Sequence, residues 1–134
     1  MKRPIKFRGL RLDNGEWVHG CLYWHLTPQN ETYCWINEQK DNIHNLVWLR
    51  VMPNTVGQFT GLHDKNGKEI YEGDILQFEN NIVYVEFDNT GARFSLYDKI
   101  DRSNPTKYNP SWDFHDGMSS HCEIIGNIYE NPDL

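Results

Sequence analysis

The chain has no long apolar run. No stretch approaches the ~18 consecutive apolar residues that a bilayer-spanning helix needs, and the first twenty residues hold no apolar segment of the secretory kind. Cysteine is scarce: Cys21, Cys34 and Cys122 are odd in number and irregular in spacing, which excludes the disulfide framework of small secreted domains. Long amphipathic helix patterns are missing as well. So is an excess of positive charge, because 13 Lys and Arg against 19 Asp and Glu leave a formal charge of -6. A uniform basic footprint for nucleic acid is therefore absent. These absences place the expected location in the cytoplasm, away from membranes.

What the chain does have is aromatic side chains and turn residues. Its 134 residues suit a single domain with one core, and 38% of them are hydrophobic, including five Trp, seven Tyr and six Phe. Aromatic and β-branched residues favour pleated, half-buried surfaces, so the composition leans toward strands. Residues 55 to 76 gather four glycines, Gly57, Gly61, Gly67 and Gly73, together with an Asn-Gly turn and a Gly-Asp strand entry. That density of backbone instructions describes a compact β structure rather than a reaction.

The pattern along the chain agrees. Residues 5 to 24 read as a hairpin about Asp13-Asn14-Gly15, since Asn-Gly tolerates the positive φ of a tight β-turn. Tyr33-Cys-Trp-Ile36 reads as a strand in a polar stretch, with a loose turn through 37 to 42. Leu46-Val-Trp-Leu-Arg-Val51 is the most apolar run, and Pro53 ends it. A second Asn-Gly reversal at Asn66-Gly67 joins 56–60 to 68–71, and Glu72-Gly73-Asp74 opens 75–79. Val83, Val85 and Phe87 alternate with Ile82, Tyr84 and Glu86, and a reversal at 88–91 leads to Ala92, Phe94 and Leu96 alternating with Arg93 and Ser95. Residues 98 to 120 read as a loop with a helical turn open at 111 to 119, and 123–129 form the last strand. The expectation is a mainly β fold: a small SH3-like barrel in residues 55–134, packed with a β-rich or α+β subdomain at 1–54, as one compact unit without a linker.

Four segments carry a resemblance. Ile5-Lys-Phe-Arg-Gly9, Thr55-Val-Gly-Gln-Phe-Thr-Gly-Leu62, Asp64-Lys-Asn-Gly-Lys-Glu-Ile-Tyr-Glu-Gly-Asp-Ile75 and Ile124-Ile-Gly-Asn-Ile-Tyr-Glu-Asn-Pro132 resemble the YopX protein family. Segments 25–50 and 97–121 carry no matching motif. The resemblance implies a phage or prophage protein with a mainly β structure in a bacterial host cell. It implies no reaction, and it supplies no catalytic residues.

The residues offer few constellations for chemistry. The glycines follow neither the dinucleotide fingerprint nor the P-loop pattern, so turns and bulges explain them. Glu69, Glu72 and Asp74 cluster beside Tyr71; a carboxylate pair can divide acid and base roles, yet Asp74 can equally accept backbone N–H bonds at the turn. Asp64-Lys-Asn-Gly67 lacks the glycine and glutamate positions of a calcium loop. Cys21, His25 and Cys34, or His115, His121 and Cys122, are conceivable zinc sets, but neither has the paired short spacing of a structural site. A cysteine nucleophile with a histidine base stays open. No metal and no cofactor is expected.

Two features point to binding. Lys2, Arg3, Lys6, Arg8 and Arg11 crowd the first eleven residues. The aromatics Trp17, Trp24, Trp35, Trp48, Trp112, Phe59, Tyr71, Phe78, Phe87 and Phe94 exceed what turns and loops use, with core packing expected for most and a partner interface for any surplus. Three readings follow. The first is a non-enzymatic module that binds a protein partner or assembles with its own copies. The second is a nucleic-acid-binding module, and the third a small hydrolase built on His63, Glu72 and Asp74.

Overall fold

The computed structural model describes residues 4–38, 47–89, 91–98 and 112–134, with the side chains of Trp112 and Asp113 excepted. The expected turn at 37–42, the basic Lys2 and Arg3, Leu46 and most of the expected loop at 98–120 lie wholly or partly outside these residues. The fold divides into two compact units, Met1–Phe59 and Thr60–Leu134. Both are built from antiparallel strands, with one short α-helix and one 3₁₀ turn among the described residues.

In the first unit the chain runs through β1 (Phe7–Leu10), β2 (Trp17–Leu26), β3 (Thr32–Asn37), β4 (Trp48–Val51), the 3₁₀ turn Pro53–Thr55 and the first residues of β5 (Gly57–His63). The strand order is β4-β3-β2-β1-β5. The ten-residue β2 serves two neighbours: Trp17–Gly20 pair with β1, and Cys21–Leu26 pair with β3. At the far side β4 curls back toward the chain beyond β1. There Arg11 bridges to Val51, the Leu12 N–H donates to the Arg50 carbonyl (3.1 Å) and the Met52 N–H donates to the Leu10 carbonyl (2.8 Å). Alternation sends Val18, Cys34, Ile36 and Val51 inward to a buried cluster, against which Phe7, Leu22, Leu49 and Val56 pack. Thr55 ties the 3₁₀ turn to β1, because its hydroxyl donates to the Met52 carbonyl (2.7 Å) while accepting from the Leu10 N–H (3.0 Å).

The second unit holds the rest of β5, which neighbours β6 (Glu69–Tyr71), and a sheet of β7 (Asp74–Phe78), β8 (Asn81–Asp88), β9 (Arg93–Asp98), β10 (Trp112–Asp113) and β11 (Glu123–Asn127) in the order β10-β9-β8-β7-β11. The helix α1 (Asp116–Ser119) precedes β11, inside the stretch 111–119 that the sequence leaves open to a helical turn. The SH3-like barrel expected over 55–134 is not found. Among the described residues β10 and β11 occupy opposite edges of this sheet, so it stays open.

Both faces of this sheet are covered, so its alternation does not separate core from solvent. Leu76, Val83, Val85, Phe94 and Leu96 bury one face with Ile70 and Cys122, and Phe114 and Met118 pack against them. Ile75, Tyr84 and Tyr97 bury the other beneath Ile125, Ile128 and Leu134, with the two tyrosine rings stacked 5.6 Å apart. Burying a large apolar side chain contributes about 1.5–3 kcal/mol. Gly73 makes the turn into β7 at φ +92°, and a Cβ there would lie 2.8 Å from the Tyr129 ring. Only glycine meets both demands.

Candidate functional site

Because β2, β3 and β4 send one parity of side chain inward, the other parity stands outward. Tyr23, Trp35 and Arg50 are direct neighbours across the three strands, since Tyr23 faces Trp35 and Trp35 faces Arg50. Tyr33 and Trp48 belong to the same outward parity. The rings touch in a chain: Tyr33 to Trp35 at 6.3 Å, Trp35 to Tyr23 at 5.5 Å and Tyr23 to Trp48 at 6.2 Å between centroids. Tyr23, Trp35 and Trp48 line an open depression of about 350 Å³. Tyr23 is 53% exposed and Trp48 44%, values high for rings of this size outside an interface.

One end of this surface is charged. The Arg50 guanidinium lies 4.3 Å from the Tyr33 ring centroid, a cation over a negative ring face. The Tyr33 hydroxyl donates to a Glu31 carboxylate oxygen at 2.7 Å, and this acceptor with its charge raises the phenol's pKa. Two more such pairs lie elsewhere in the first unit: Lys6 is 5.2 Å from the Phe59 ring and Arg8 is 4.6 Å from the Trp17 ring. Charge is divided unevenly along the chain. Residues 1–59 carry seven Lys and Arg against five Asp and Glu, a net +2, whereas 60–134 carry six against fourteen, a net −8.

Sequence reasoning did not assemble this surface. Trp35 and Trp48 stand in the aromatic set drawn from the sequence, but Tyr23 and Tyr33 do not. The usable signal was period two in three separate strands, read in a register that only the folded pairing supplies. Trp24, 60% exposed, belongs to the inward parity but lies beyond the reach of the inner cluster.

His63 is exposed at the end of β5 beside the Asp64 turn, while Glu72 and Asp74 lie past the other end of β6. Asp74 is buried, and its Oδ2 accepts the Tyr71 N–H at 2.8 Å, the local role open to it from sequence. Cys21 and His25 are exposed outward, but Cys34 points into the inner cluster. Cys122 is buried, with its thiol donating to the Met118 carbonyl at 3.3 Å, whereas the exposed His121 has Nδ1 3.0 Å from the Gly117 carbonyl oxygen. Among the described residues no group of three or more His, Cys, Asp or Glu is placed to hold a metal ion. No helix among them is long and apolar enough to cross a membrane.

Burial, then the charge of Asp64, pushes the Cys122 thiol up to about 11, and burial raises Cys34 as well. A thiolate is the reactive form, so both thiols are protected at neutral pH. In the native protein at pH 8 a disulfide-exchange reagent is expected to titrate one thiol rapidly, the exposed Cys21. All three should titrate after denaturation. Rapid loss of two or three thiols from the folded chain would contradict the burial described.

These features define a mainly antiparallel β protein of two units, with one outward aromatic surface on the first. The chain belongs to the YopX protein family, whose pattern matches residues 6–134. It is similar in fold to the crystal structure of protein EF1440 from Enterococcus faecalis, with 21% identity, 99% of each chain covered and a TM-score of 0.57. No curated protein matches it.

The motifs that resemble the family serve the architecture. The Asp64 carboxylate gathers three backbone N–H groups, the Thr60 hydroxyl donates to the Ile70 carbonyl (2.8 Å), and the Ile128 N–H donates to the Gly73 carbonyl (2.9 Å). The Asn127 side chain accepts the Tyr129 and Glu130 N–H groups in the final turn. Most of the aromatic surface, Tyr33, Trp35, Trp48 and Arg50, lies in 25–50, where the sequence shows no family motif, and Tyr23 stands just before it.

Proposed function

We propose that this protein is a non-enzymatic binding module of phage or prophage origin that works in the cytoplasm of the bacterial host. Its outward aromatic surface meets a protein partner or a second copy of the chain. The observation that supports this reading is the contiguous ring cluster of Tyr23, Trp35 and Trp48 left open to solvent. Tryptophan and tyrosine are the residues that most often dominate interface energetics, through large apolar area at low entropic cost. The test compares the wild type with a Trp35→Ala/Trp48→Ala double variant. Sedimentation velocity reads self-association, and tagged chains expressed in lysogenic cells read stoichiometric co-purification. The wild type should show a dimer or one stoichiometric companion, and the variant should lose it by at least about tenfold in affinity. Retention of the same complex by the double variant would reject this surface as the interface.

A second reading, nucleic-acid binding, draws support from the three cation-over-ring pairs and the net positive first unit. It requires affinity that falls steeply with salt, as phosphate contacts release counterions.

A further inference from the structure

We propose that Asn66-Gly67, in the turn between β5 and β6, is a self-modification site. The Asn66 carboxamide closes on the Gly67 backbone nitrogen and loses ammonia, and the aspartate or isoaspartate that results loosens the hold of Asp64 on β11. The chain has two Asn-Gly pairs, Asn14-Gly15 and Asn66-Gly67, both in exposed turns. Cyclisation favours a following glycine, because a side chain there would crowd the new five-membered ring. Gly15 and Gly67 both have open space where a Cβ would stand. In each pair the nitrogen that must attack donates to a turn carbonyl at 3.0 Å, Gly15 to Arg11 and Gly67 to Asp64. One local bond must open at either site, so the two nucleophiles are matched.

The electrophiles differ. One residue holds the Asn14 carboxamide at both ends: its Oδ1 accepts the Glu16 N–H at 2.9 Å, and its Nδ2 donates to a Glu16 carboxylate oxygen at 3.3 Å. Cyclisation at Asn14 must break this hold as well. Among the described residues the Asn66 carboxamide has no hydrogen-bond partner, and only its backbone N–H is engaged, by Asp64. It can rotate onto Gly67 at no cost in hydrogen bonds. A bond forms between the Gly67 nitrogen and Asn66 Cγ, the Cγ–Nδ2 bond breaks, and the Gly67 amide proton leaves with the ammonia. Water then opens the succinimide. Breaking the Cγ–N bond gives aspartate. Breaking the original C–N bond gives isoaspartate, whose chain runs through Cγ and is longer by one CH₂. That methylene falls between the Asn66 and Lys68 N–H groups, both held on Asp64 Oδ1 at 2.9 Å. The lengthened turn cannot keep both donors on one oxygen. Oδ2 of the same carboxylate accepts the Ile124 N–H at 3.1 Å, so the change is transmitted to β11.

The experiment incubates the full chain in mildly alkaline buffer and follows each Asn-Gly peptide by mass spectrometry, with a parallel sample unfolded in urea. The folded chain should gain about 1 Da at Asn66 at least about fivefold faster than at Asn14, whose carboxamide bonds must break first. In urea both sites should react at similar rates, because the difference comes from the fold. Glu16→Ala should raise the Asn14 rate toward that of Asn66. The isoaspartate form, separated by chromatography, should unfold at lower urea than the unmodified chain. Asn66→Ser, which has no amide to lose, should keep its midpoint through the same incubation; residue 66 is not at positive φ, so serine fits the turn. Asn14 reacting as fast as Asn66 in the folded chain would overturn the proposal. So would an unreacted Asn66 while the urea sample reacts, or an unchanged midpoint after conversion to isoaspartate.

Discussion

Replacing Asp64 with alanine is expected to lower the stability of the second unit by about 3 kcal/mol or more, because one carboxylate there serves three backbone donors. Its Oδ1 accepts the Asn66 and Lys68 N–H groups at 2.9 Å each, and its Oδ2 accepts the Ile124 N–H at 3.1 Å across a sequence separation of 60 residues. The residue is only 4% exposed, so water cannot replace the lost acceptor. Asp64→Asn keeps one acceptor oxygen and should lose about half as much. Chemical denaturation with urea reads both values, and a loss under about 0.5 kcal/mol for the alanine variant would mean the three bonds are not a structural clamp.

The same carboxylate carries a pH signature. Burial alone raises its pKa, but the donors from Ile124, Lys68 and Asn66 and the charge of Lys68 outweigh burial and hold it below 3.8. A folded-state pKa below the unfolded one gives stability that is complete above the unfolded value and lost as pH falls through the folded one. Stability should therefore decline below about pH 4, and more steeply in the wild type than in Asp64→Asn.

The second large effect concerns Gly20, where β2 passes from β1 to β3. A Cβ at this position would lie 1.9 Å from the Asn37 carbonyl oxygen and 2.9 Å from its carbon. The obstacle is backbone in the paired strand, which cannot swing aside as a side chain tip can. Gly20→Ala must therefore break the Cys21–Asn37 end of the ladder or bend β2, at a cost of about 3 kcal/mol or more. Because the outward rings depend on the β2–β3 register, their ring-current shifts should change as well. A variant with wild-type melting temperature and unchanged tryptophan resonances would show that the strands approach less closely here.

Much of the fold was legible because turn chemistry is local. Asn14-Gly15 and Asn66-Gly67 each supply a glycine at positive φ, +70° and +81°, between paired strands. Pro53 follows the end of β4 and opens the 3₁₀ turn. The reversals before β8 and β9 were legible too, but not the residues that take positive φ there: Glu79 and Ala92 stand at +54° and +53°, which their side chains do not advertise. Closure was not legible at all, since β11 joins β7 at one edge while β10 joins β9 at the other, and hydrophobic alternation is blind to which strands become neighbours. The aromatic surface was hidden for the same reason. Tyr23, Trp35 and Arg50 stand 12 and 15 residues apart in sequence and meet only through the register of β2, β3 and β4.

The placement of β11 has a consequence during synthesis. The first unit has all its strands once residue 59 has emerged, so its aromatic surface can form early on the ribosome. The second cannot complete its sheet until β11 is free to pair with β7, nor cover the Tyr84–Tyr97 face until Ile128 and Leu134 arrive. A chain paused before Glu123 would thus hold a finished aromatic surface in its first unit and an unsealed apolar sheet in its second, the state most in need of chaperone shelter.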